Sequence, residues 1–119
     1  MWYSSWKTPV LCAALVGCGT ASAAVPIERV TSPEASVSAA EALGAGSSSQ
    51  AQLHLQLAKE QLDKGKKLLA AGEAEKADLM LMRADADALL AQALARENTA
   101  RIAAQQMIEQ VQAQRQNGR

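Results

Sequence analysis

Phenylalanine is absent from this 119-residue chain, and its only aromatic side chains, Trp2, Tyr3 and Trp6, all precede residue 7. Beyond that point there is no ring to stack on a nucleobase or to cage a quaternary amine. Any hydrophobic core there must be a thin seam of Leu, Ala and Met. An excess of one charge is missing as well: 12 Lys and Arg balance 12 Asp and Glu. Lys7 is the only charged side chain among the first 17 residues, so the remainder carries one more acid than base. No basic stripe emerges, and nucleic acid is not an expected partner. Histidine occurs once, as His54, and cysteine twice, as Cys12 and Cys18.

These scarcities exclude most site chemistry. His54 has neither a cysteine nor a second histidine near it in sequence, so it reads as a half-exposed helix residue and not as a metal ligand. Asp78, Asp85 and Asp87 are the densest acids; on a helix Asp78 and Asp85 share a face two turns apart while Asp87 diverges. They are expected to form a solvated face. Ser47, Ser48 and Ser49 lack a base that could activate a nucleophile and read as a turn with a cap. Met80, Met82 and Met107 are expected to fill a seam. The sequence therefore predicts no catalytic residue, no metal site, no cofactor and no small-molecule substrate.

The first 17 residues have the layout of an export signal. Lys7 and the amino terminus give a weak positive region, and Thr8 to Gly17, "TPVLCAALVG", is an apolar run too short to span a bilayer. Leu15-Val16-Gly17-Cys18 resembles the lipobox of bacterial lipoproteins, in which the cysteine takes a diacylglycerol thioether and, once amino-terminal, an amide-linked acyl chain. Cys18 is thus the expected lipidation site, and several acyl chains make a durable anchor at about 0.8 kcal/mol per buried methylene. Gly19 points, by analogy with enterobacterial sorting, to the outer membrane of a Gram-negative cell, facing the periplasm. Ala21-Ser22-Ala23 offers the alternative: ordinary cleavage releasing a soluble periplasmic protein.

Behind the anchor the chain reads as all-α: a long antiparallel helical hairpin, coiled-coil-like, preceded by a flexible tether and a short helix. Residues 18–31 are small, polar and Pro-containing, as in a tether. A helix over 32–44 would use Ser32 as cap and Pro33 at its first position, with Gly44 and Gly46 ending it. The hairpin spans 48–116. Its first arm begins with a capping box between Ser49 and Gln52 and carries Leu55, Ala58, Leu62, Gly65 and Leu69 on one stripe. Gly65 on that stripe implies close backbone approach. Glu60–Lys64 and Asp63–Lys67 are favourable i,i+4 pairs. Gly72 marks the reversal. The second arm, about 73–114, repeats Ala77, Leu81, Ala84, Ala88, Ala91 and Ala95 on its stripe, with Ala104, Ile108 and Val111 read as its continuation. This arm outruns the first. Either the short helix covers the overhang, or Ile102, Met107, Ile108 and Val111 form a partner-binding surface, for a second copy or another envelope protein.

The segment 58–96, "AKEQLDKGKKLLAAGEAEKADLMLMRADADALLAQALAR", resembles a family of bacterial envelope lipoproteins known as domain of unknown function 4398. Leu68-Leu69-Ala70-Ala71-Gly72-Glu73 at the turn, Lys76-Ala77, and Ala84-Asp85-Ala86-Asp87-Ala88 carry the resemblance. It implies a lipobox, a short tether and an alanine-rich helical hairpin. Some members add a peptidoglycan-binding domain of the outer-membrane-protein-A type; these 119 residues hold none, so direct cell-wall binding is not expected of them. The family brings no assigned activity. The expected role is a lipid-anchored, non-catalytic helical interaction or structural module, the alternative being a soluble holdase-like chaperone.

Overall fold

The computed structural model describes residues 28–118. Three α-helices make up nearly all of them: α1 (Glu28–Ala42), α2 (Ser49–Ala70) and α3 (Ala74–Asn117), with one 3-10 turn at Ala45–Ser47 between α1 and α2. No strand occurs among the described residues, and none of these helices is long and apolar enough to cross a membrane. The chain is all-α, and α2 and α3 are the expected antiparallel hairpin. At 1.5 Å per residue α3 is about 66 Å long and α2 about 33 Å.

The third member of the bundle is α1. Arg29 pairs with Asp78 and Ser36 with Asp85, so α1 and α3 ascend together. Glu34 pairs with Lys66 and Glu41 with Lys59, so α1 and α2 run oppositely. The result is an up-down-up three-helix bundle. Helix α1 lies beside the half of α3 nearest the reversal; it does not cover the overhang, and every residue from 99 to 118 is exposed.

Helix α1 also starts four residues earlier than the 32–44 span read from Ser32 and Pro33, so the end of the expected tether, residues 28–31, is helical. Pro33 sits inside the helix, where its missing N–H leaves the carbonyl of the fourth residue before it without its usual donor. Packing outweighs that loss: Pro33 is among the largest fully buried side chains of the molecule. At the other end Gly44, at φ 75°, takes the left-handed conformation that stops the helix.

Ser48, not Ser49, caps α2, accepting a hydrogen bond from the Ala51 amide at 3.4 Å. The third residue after that cap is then Ala51, which has no side chain to reciprocate, so the expected box with Gln52 does not form. Ala51, Leu55, Ala58, Leu62 and Gly65 are its buried stripe, and Leu69 packs at the edge. The two expected i,i+4 ion pairs are not made among the described residues; the α2 lysines that do pair, Lys59 and Lys66, reach across to α1.

At the reversal the Gly72 amide bonds the Leu69 carbonyl at 3.0 Å and the Glu73 amide bonds the Leu68 carbonyl at 2.9 Å. With Gly72 at φ 79° this is a Schellman ending, which satisfies carbonyls that the helix leaves open. On α3 the buried apolar positions are Ala77, Leu81, Ala84, Ala88, Ala91 and Ala95, as the four-and-three stepping requires.

Gly65 sets how near the two arms come. A Cβ at that position would lie 2.8 Å from Leu81 Cδ2 and 2.9 Å from Leu81 Cγ. Leu81, itself only 1% exposed, fills the space that any other residue at 65 would claim. Gly65→Val should therefore destabilise the bundle by about 2–3 kcal/mol in urea denaturation, since overpacking outweighs the better helix propensity. Adding Leu81→Ala should recover part of that loss, although Leu81→Ala alone costs a similar amount. Strictly additive effects of the two changes would contradict this packing.

Candidate interaction surface

The polar residues of α3 work as ties between helices. Asp87 Oδ1 lies 2.9 Å from His54 Nδ1, and its Oδ2 accepts from Gln61 Nε2 at 2.8 Å, both on α2. Asp85 accepts from Ser36 Oγ at 2.6 Å, and Asp78 pairs with Arg29, both on α1. The three acids are thus not the solvated face expected of them. Their spacing sends Asp78 and Asp85 to one neighbour and Asp87 to the other, as the helical period requires. Gln92, 7% exposed, donates to the Ser36 backbone carbonyl at 2.9 Å and adds a third tie from α3 to α1.

Arg29 is exposed; its hydrogen bond to Asp78, and next the carboxylate's charge, raise the guanidinium pKa beyond its already high range. The cleft that Arg29, Pro33, Asp78, Leu81 and Asp85 line between α1 and α3 has its charges already engaged. His54 and Asp87 form a dyad whose remaining partner is an amide, with no hydroxyl or thiol hydrogen-bonded to it among the described residues. Among the described residues no group of three or more His, Cys, Asp or Glu is placed to hold a metal ion.

What the bundle leaves open is apolar. Ile102, Met107, Ile108 and Val111 are 50%, 65%, 51% and 46% exposed. At about 100° per residue, however, they divide between two faces. Ile102 lies seven residues after Ala95 and keeps the register of the buried stripe. Ala104 lies nine residues after Ala95, two and a half turns, and so faces the other way, with Met107, Ile108 and Val111 around it. These residues do not continue the buried stripe, as the sequence reading had placed Ala104, Ile108 and Val111.

They continue a second one. Leu79, Met82, Leu89 and Leu90, on the first half of α3, are all exposed on the same outer face, with exposed Ala86 among them and exposed Ala93 and Ala100 leading on to Ala104. Helix α3 therefore has two apolar stripes half a turn apart. The inner one seats α1 and α2; the outer one runs from Leu79 to Val111, about 48 Å, and no other helix among the described residues covers it. Sequence reading missed the first four of these residues because it fitted one stripe and assigned Met82 to the seam. A second heptad series offset by half a turn was the available signal. Cys18, the expected lipidation site, lies outside the described residues.

An elongated, alanine-seamed helical bundle with an uncovered apolar face is the class that the geometry defines. Over residues 28–116 the chain matches the profile of the family described as a domain of unknown function, DUF4398, and it belongs to that family. The match takes in α1 as well as the hairpin. No curated protein and no solved structure matches the chain.

Asp87 is the tie whose loss should matter most. Its removal strands His54 and Gln61, and the Gln61 Oε1 atom is already buried without a partner. Asp87→Ala should lower unfolding stability by about 1–3 kcal/mol. Asp78→Ala, which frees only the exposed Arg29, should cost clearly less than Asp87→Ala. Equal losses in parallel denaturation curves would contradict this ranking.

Proposed function

We propose that this protein is a lipid-anchored, non-catalytic interaction module of the bacterial envelope, held at the outer membrane and facing the periplasm. The observation that carries the reading is the outer face of α3. Large exposed apolar patches on soluble domains mark surfaces that meet a partner, and this one is long, regular and sited on a single rigid helix. Asp78, Asp85, Asp87 and Gln92 are engaged in holding helices together, which supports a mechanical role over a chemical one.

The anchor rests on Leu15-Val16-Gly17-Cys18 at the end of an apolar run. Ten Cα–Cα steps separate Cys18 from Glu28, a reach of at most about 35 Å. An acylated Cys18 would therefore keep the start of α1, and the reversal beside it, within that distance of the bilayer. The competing reading is a soluble periplasmic holdase-like chaperone, favoured by Ala21-Ser22-Ala23; it would use the same apolar face for unfolded chains.

Cys18→Ala should move the protein from the membrane to the soluble fraction of a Gram-negative host. The intact mass of the wild-type protein should show an amino-terminal, acylated Cys18. A free amino terminus near Ala24, with unchanged fractionation of Cys18→Ala, would select the soluble reading.

A further inference from the structure

We propose that the outer stripe of α3 is covered by α3 of a second copy, packed antiparallel about a two-fold axis near residue 95. This rests on the reading of the chain as an interaction module and names its partner.

Register and charge carry the argument. Outer positions recur at 79, 86, 93, 100 and 107 and at 83, 90, 97, 104 and 111, two series each with the heptad spacing of a left-handed coiled coil. In an antiparallel pair every residue meets one whose number makes the sum 190 with its own. Leu79 then faces Val111 of the second copy, Met82 faces Ile108, and Leu90 faces Ala100, so these layers are apolar on both sides, while Glu97 faces only Ala93 and keeps its carboxylate at the solvent edge. Ala86 meets Ala104 and lets the backbones approach. Arg83 lays its aliphatic stem along Met107 and keeps its charge in solvent.

The charged ends decide the direction. Glu75 and Arg115 are exposed at opposite ends of the outer face, and the antiparallel register sets each against the other, twice per dimer. A parallel, in-register pair would instead oppose Glu75 to Glu75, Arg83 to Arg83, Glu97 to Glu97 and Arg115 to Arg115. Four like-charge layers make that arrangement unfavourable.

The size is sufficient. Residues 75–115 span about 60 Å, and a contact about 10 Å wide along that length buries on the order of 600 Å² per copy. That total lies at the lower end of specific interfaces, so a reversible dimer is expected. The overhang of each copy, uncovered in its own bundle, rests on the first half of the other's α3. The two α1 starts come to opposite ends, about 50 Å apart along the rod. Tethers reaching about 35 Å allow both anchors to enter one membrane with the rod lying along it.

The test uses the full chain, extracted in mild detergent, with a photo-crosslinking residue in place of Ala86. The expected product is a dimer whose crosslink maps to residues around Ala104. Glu75→Arg and Arg115→Glu should each weaken dimerisation about tenfold in sedimentation equilibrium, and the double reversal should restore it to within about twofold. Leu90→Glu should abolish the dimer while helicity by circular dichroism stays unchanged. A crosslink from position 86 to position 86, or no rescue by the double reversal, overturns the antiparallel pairing. A monomer that crosslinks a different envelope protein in intact cells overturns self-pairing but leaves the interaction-module reading standing. A monomer that captures nothing removes both.

Discussion

Close approach of helices without rings is the constraint on which this structure depends. Apart from Pro33 and Val37, the buried apolar side chains of the described residues are alanine and leucine. Alanine contributes little area, so such a core is stable only if backbones come near enough for small side chains to touch on both sides. Gly65 makes that approach possible at one level and Leu81 occupies the space it leaves. The rest of the seam follows from that fit, because Ala58, Ala84, Ala88 and Ala91 can meet across the interface only at the separation that Gly65 permits.

A seam of alanines says little about which helix sits where, and polar side chains supply that specificity. Asp78 and Asp85 hold α1 in one register, Asp87 holds α2, and Gln92 reaches past its own helix to a backbone carbonyl of α1. Part-buried hydrogen bonds of this kind contribute modestly to net stability but strongly penalise a slipped arrangement, since a slip strands their groups. Helix α1, too short to persist alone in water, is retained by these ties and by the burial of Pro33, Val37 and Ala40.

The same helix thus serves two purposes through its two faces. Its inner stripe completes a small bundle, and its apolar outer stripe, like the 20 residues beyond the bundle, remains exposed to solvent. A helix of 44 residues on a partner of 22 is a poor way to build an isolated domain and a good way to present a long, stiff edge. Membership of the DUF4398 family extends over α1, α2 and nearly all of α3, so the edge is part of the family's domain and no appendage to it.

Local rules read from the sequence reach far in a chain like this one. Four-and-three stepping identified the buried faces of both hairpin arms, Gly72 marked the reversal, and Gly65 marked the close approach, because each depends on residues within a turn or two of one another. Where longer-range contacts competed, local rules failed. Ser32 and Pro33 read locally as a helix start, but burial against α3 carries the helix back to Glu28, five residues before Pro33; Ser48 takes the cap from Ser49, one residue away from the expected register. The three aspartates looked like a solvated face because a single helix cannot show what stands opposite it. Nor could one periodicity separate two stripes half a turn apart. The sequence by itself determined the helices, their order and their seam, since these follow from backbone geometry and side-chain period. Only the tertiary structure decided where α1 lies and which apolar residues stay uncovered, because that depends on which faces the neighbouring helices leave unoccupied.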